Sequence, residues 1–162
     1  MLRKIGGFIA ISAILIVLAG CQSNEDISLI LGADVSAAKV ISGSDSHGGF
    51  HGDGERYMEF RFEDDTFENT IKKDNTWHAL PVKDDSIEAL LYGKTMGSVA
   101  YGPYLQSEMP HIEEGYYFFY DRHEESADPF DPSKVLGRAS MNFTVALYDT
   151  EKDILYFAEL DT

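Results

Sequence analysis

Cys21 is the only cysteine in the 162-residue chain, and this constrains the fold more than any other feature. A single thiol can form no internal disulfide and no cysteine zinc cluster. The body must therefore hold together by burying apolar side chains. With 44% hydrophobic residues, ten Phe and nine Tyr, a chain of this size can build one real core.

The N-terminal segment reads as an address. Arg3 and Lys4 precede an uncharged apolar run from Phe8 to Leu18, the outline of an export signal. The run is about half of the ~20 residues a membrane-spanning helix needs, so cleavage is expected rather than a permanent span. It ends in Leu18-Ala19-Gly20-Cys21, which resembles the lipobox of bacterial lipoproteins. That resemblance implies a cut before Cys21, a diacylglyceryl group and fatty acyl chains such as palmitate on this cysteine, and residence on the extracytoplasmic face of the cell membrane. Two acyl chains, at ~0.8 kcal/mol per buried CH₂, suffice for stable anchoring. Residues 21–27 then read as a lipidated polar tether, and 28–162 as one globular domain.

Charge narrows the partners. The chain has 13 basic and 28 acidic residues, and the leader holds two of the basic ones and no acid, which leaves the mature body at a formal −17. Such a body repels phosphate backbones, so nucleic acid is excluded as a natural partner. Cations, basic surfaces and other envelope proteins fit better.

Patterning along the body predicts α+β: an antiparallel sheet of about five strands with a short helical pair packed on one face. Strands are expected at 37–42, 56–62, 116–121, 139–149 and 154–160, the last two joined by a hairpin turn over 149–153. In the fourth, Met141, Phe143, Val145 and Leu147 should face the core, and Asn142, Thr144 and Tyr148 should face outward. One helix is expected around Phe67 and Ile71, capped by Asp65 or Thr66 with Glu68. A second follows Asp85, with Ile87, Leu90 and Leu91 on one face and Gly93 as its stop. Residues 75–81, with Trp77 and Leu80, read as the break between helices, and 93–115 as loop.

Two segments carry candidate chemistry. The glycine-rich run 44–54 places Asp45, His47, His51 and Asp53 close in sequence. Imidazole and carboxylate are ligands for a divalent metal, the one cofactor class this composition suggests. The competing reading is a decorated hairpin loop in which Gly52 and Gly54 supply turn conformations. The second segment holds Asp121, Arg122 and His123, an ion-paired site in which His123 could act as acid or base, or else a solvated loop. Metalloprotease, EF-hand, nucleophile-elbow and dinucleotide-loop spacings are missing from the sequence. Asn142-Phe143-Thr144 matches a glycosylation acceptor, but it falls inside an expected strand and is set aside. Three readings of function follow: a non-catalytic binding module tethered to the envelope, a metal-binding envelope protein, and, last, a hydrolase with a His–Asp pair.

The runs SHGGFHGDG, GYYFFYDRHEES and NFTVALYDTEKDILYFAELDT resemble those of small lipoproteins and membrane-anchored proteins of Gram-positive bacteria. The likeness spans most of the mature chain. It implies no activity and lends no functional residues.

Overall fold

The computed structural model describes residues 24–48 and 52–162. By contacts the chain divides into two compact units, one ending at Ala37 and the other comprising Ala38–Thr162.

In the first unit residues 24–31 are helical, so the stretch read as a tether is helix from residue 24 onward. Gly32, at φ 65°, ends the helix in the left-handed region. Ser28 Oγ donates to the Asn24 carbonyl at 2.8 Å and accepts from the Val35 amide at 3.0 Å, fixing the helix to the turn that follows. Among the described residues no helix is long and apolar enough to cross a membrane.

The second unit is a six-stranded antiparallel sheet with helices on both faces. Its strands are β1 (Lys39–Asp45), β2 (Gly54–Arg61), β3 (Trp77–Ala79), β6 (Gly115–Asp121), β7 (Asn142–Asp149) and β8 (Ile154–Asp161), in the order β1-β2-β8-β7-β6-β3. A separate hairpin pairs β4 (Lys94–Met96) with β5 (Val99–Tyr101). Helix α1 spans Thr66–Ile71, α2 spans Asp85–Tyr92, and a 3₁₀ turn spans Pro132–Gly137.

Local chemistry sets the ends of these elements. Asp84, rather than Asp85, caps α2 by accepting from the Ser86 and Ile87 amides at 2.8 and 3.1 Å. The α1 entry is held by Asp64, which accepts from the Thr66 amide at 2.9 Å, while the Asp65 side chain makes no cap bond. The β7–β8 turn is built by Asp149, whose Oδ1 accepts from the Glu151 and Lys152 amides, and by Asp153 in the left-handed region at φ 54°.

Four expectations are corrected. The sheet has six strands, because residues 75–81 contain β3, whose Trp77 pairs in register with Phe118. The two helices also lie on opposite faces. Ile87, Leu90 and Leu91 of α2 share one buried cluster with Tyr117, Phe119, Phe143, Val145, Leu147 and Ala158. Phe67 of α1 meets Tyr148 and Trp77 across the sheet, at ring distances of 5.3 and 5.9 Å, and Trp77 meets Phe118 at 5.4 Å. Alternate side chains of a strand point to opposite faces, so a strand apolar at every position must be covered twice. Thr144 and Tyr148, expected outside, are fully buried. The 93–115 segment, read as loop, contains the β4–β5 hairpin.

Candidate functional site

The base of the 44–54 loop is pinched shut. The Ser46 amide donates to the Glu55 carbonyl at 2.8 Å, and the Glu55 amide donates to Ser46 Oγ at 2.9 Å. Gly54 lies so close to the opposite arm that a Cβ there would sit 2.5 Å from both Cα and N of His47. Gly52 alone of the pair supplies a positive φ, at 75°. Gly54 is needed for close approach instead.

This pinch aims the His47 ring between two carboxylates. Nδ1 lies 2.7 Å from Asp45 Oδ1, and Nε2 lies 3.0 Å from Asp161 Oδ2. The Asp45 Oδ1 atom also accepts from the His47 amide at 2.9 Å. Burial works to raise the Asp45 carboxyl, but hydrogen bonds from the His47 backbone and ring, with the charges of His47 and Arg56, outweigh it and hold the group below its usual range. Asp53 is exposed, and His51 lies outside the described residues.

From Asp161 the polar contacts continue across the sheet. Arg122, immediately after β6, meets Asp161 through Nη1 at 3.0 Å and Nη2 at 3.2 Å. Its Nε donates to Thr144 Oγ1 at 3.1 Å, and Nη2 reaches the carbonyls of Phe143 and Leu160. Thr144 Oγ1 in turn donates to Glu159 Oε1 at 3.3 Å, and Glu159 Oε2 pairs with Arg56 Nη1 at 3.4 Å. The guanidinium carbon of Arg56 stands 5.9 Å from the Phe157 ring centroid. Asp45, His47, Asp161, Arg122, Glu159 and Arg56 thus form one string of alternating charge. Its members come from β1, β2, β8, the β1–β2 loop and the end of β6.

The structure therefore brings the two candidate segments together, with Asp161 as the joint. It does not keep Asp121, Arg122 and His123 together. Asp121 is 2% exposed and turns to the other face, where it pairs with Arg138 and accepts from the His123 amide at 3.1 Å. His123 accepts from the Glu125 amide at Nδ1 (3.2 Å) and faces Ser140 Oγ with Nε2 (3.3 Å). A neutral imidazole that accepts at Nδ1 carries its proton on Nε2, so His123 donates to Ser140 and does not activate it as a nucleophile.

Chemically, the string orients the β1–β2 loop against β8. Two carboxylates occupy the opposite nitrogens of His47, so in this arrangement they do not face one point together with that ring. A metal held by His47 would have to displace one of these hydrogen bonds. Among the described residues no group of three or more His, Cys, Asp or Glu side chains is arranged to hold a metal.

Glu159, Asp161, Thr144 and Arg56 were not singled out from sequence. A signal was present, since Glu159 and Asp161 interrupt the apolar run of β8 at alternate positions and so share a face. Arg138 gave no such signal.

Elsewhere, an open cleft of about 520 Å³ is lined by Glu125, Asp128, Asp131, Lys134 and Arg138, within the size range of small-molecule sites. Two of its acidic side chains are engaged locally: Asp131 accepts from the Ser133 amide and hydroxyl, and Asp128 from the Phe130 amide. Compared with protein-family models, curated proteins and solved structures, the chain matches none of them.

Proposed function

We propose that this chain is an extracytoplasmic lipoprotein, held at the membrane by lipid on Cys21, whose body is a non-catalytic binding or interaction module. The observation that carries the location is Leu18-Ala19-Gly20-Cys21 at the end of an uncharged run behind Arg3 and Lys4. Support for the non-catalytic body comes from the candidate side chains themselves. Asp45, His47, Arg122 and Asp161 satisfy one another, and His123 donates to Ser140 rather than priming it. The test is to express the full chain and its Cys21→Ala variant in a bacterium and to follow membrane partition and digestion by protease added outside the cell. The wild-type chain should travel with membranes and be digested from outside, and the variant should lose the membrane association. A chain that stays in the cytosol, or partitions equally with and without Cys21, would overturn the reading.

A divalent-metal reading of the same loop draws on one observation, the nearness of Asp45 and Asp161 to the His47 ring, and requires an ion to displace one of the two hydrogen bonds that ring makes. Binding to the folded state alone raises the melting temperature. Zinc, manganese or calcium should then raise it by several degrees in the full chain, and His47→Ala and His51→Ala should each abolish the rise. No rise with any of the three ions would remove this reading.

A further inference from the structure

Leu29 is 81% exposed, whereas the other large apolar side chains on the described surface reach 38 to 48%. A lone exposed leucine is ordinary on a soluble protein. Its place in this chain is not. Cys21 precedes the helical residue 24 by three positions, at most about 11 Å of extended chain. From residue 24 to Leu29 the helix rises about 7.5 Å. We infer that the turn carrying Leu29 lies against the bilayer that holds Cys21, with the leucine entering the boundary between headgroups and acyl chains.

The turn is built to present that side chain. Ile27 and Leu31, its helical neighbours, are 0 and 1% exposed, which leaves Leu29 as the large apolar group pointing away from the buried side. The helix is tied at this turn: Ser28 Oγ joins the Asn24 carbonyl to the Val35 amide, and Gly32 ends the helix in the left-handed region. Leu29 lies in a shallow surface depression shared with Glu25 and Asp34. Hydrogen bonds from the Ser36 amide and hydroxyl hold the Asp34 carboxyl below its usual range, so its charge persists at acidic pH. A leucine flanked by two carboxylates suits a zwitterionic surface better than an anionic one. With the acyl chains doing the anchoring, the leucine only has to orient the helix.

This inference rests on the lipid-anchor reading, and the experiment separates the two. The full chain carrying Leu29→Cys is produced in a bacterium, purified with its acyl groups, weighed by mass spectrometry and labelled with a nitroxide or bimane. A lipidated Cys21 is a thioether, so the label reacts at position 29 alone. Glu151→Cys, at an exposed position of the β7–β8 turn, serves as the water-facing control. In phosphatidylcholine vesicles the label at 29 should be shielded from an aqueous quencher at least threefold more than the label at 151, and adding phosphatidylglycerol should reduce the difference. Equal quenching at 29 and 151 on an acylated chain would overturn the inference and leave the anchor standing. A chain without acyl mass on Cys21 would overturn both.

Discussion

Arg122 grips Asp161 through both terminal guanidinium nitrogens, at 3.0 and 3.2 Å, and the same carboxylate receives His47 Nε2 at 3.0 Å. One acidic side chain near the end of β8 thereby joins a loop from early in the chain to a segment 75 residues further on. The arrangement is planar and two-pronged on the Arg side, which lysine cannot reproduce.

Replacing Arg122 should accordingly unsettle more than one contact. Arg122→Ala leaves Asp161 and Thr144 short of a donor beside the sheet, and because the pair is only part-buried the cost should lie at or below about 3 kcal/mol, the lower end of the range for a fully buried pair. Arg122→Lys should recover less than half of that. Urea unfolding followed by circular dichroism reads both values, and equal stability of the Lys variant and wild type would contradict the two-pronged account.

The placement of α1 and α2 on opposite faces makes a prediction about additivity. Leu90→Ala, in the α2 cluster, should cost about 2 to 5 kcal/mol and Phe67→Ala, under α1, about 3 to 5. Because the sheet separates them, the double variant should equal the sum of the singles within about 0.5 kcal/mol. A coupling of 1 kcal/mol or more, on the order seen for touching residues, would place the two side chains in one core.

Gly54→Ala tests the pinch of the β1–β2 loop. The new methyl meets His47 backbone at 2.5 Å, an overpacking clash that costs about 1 to 3 kcal/mol. Gly137→Ala, where a Cβ would meet nothing within 4 Å, should be close to neutral. Similar losses at the two positions would show that backbone freedom, not close approach, matters at 54.

Three buried or half-buried phenols make a prediction about stability at alkaline pH. Burial, and then the charge of Glu88, push the Tyr92 phenol up to about 12. Tyr57 is also raised, by burial and then by its hydrogen bond to Glu59. Tyr148 is raised by burial and then by the charge of Asp153. A folded value above the unfolded one of about 10 means the contribution is whole below pH 10 and lost as pH climbs through the folded value. Stability should hold steady to about pH 9.5 and fall between pH 10 and about 12. Tyr92→Phe, which also gives up the bond from its hydroxyl to the Pro110 carbonyl, should be less stable near neutrality and show a shallower alkaline slope. An unchanged slope would contradict the assignment.

Local signals were strong where the chain repeats a short rule. The aromatic and β-branched runs of β6, β7 and β8 and the starts of α1 and α2 could be read within a few positions of where they lie, but the acids that hold the helix starts are Asp64 and Asp84, each one residue before the acid expected. Three-residue strands such as β3 to β5 carry too little pattern to read, and β3 depends on partners such as Phe118 that lie far along the chain. Two-sided burial was misread because Thr144 and Tyr148 look polar. In place, the Tyr148 hydroxyl reaches Asp153, and Thr144 reaches Glu159. The Asp45, His47 and Arg122 side chains were visible as candidates. Asp161, which joins His47 to Arg122, was not, since 114 positions separate it from His47 and no local spacing encodes such a contact.

The central claim is that the chain lives on a membrane through Cys21. Its most direct measurement is the intact mass of the full chain recovered from bacterial membranes, with tandem fragmentation of the first peptide. The account predicts a polypeptide that begins at Cys21 and carries a diacylglyceryl group on its sulfur. A chain that retains residues 1–20, or one that begins at Cys21 with an unmodified thiol, would contradict it.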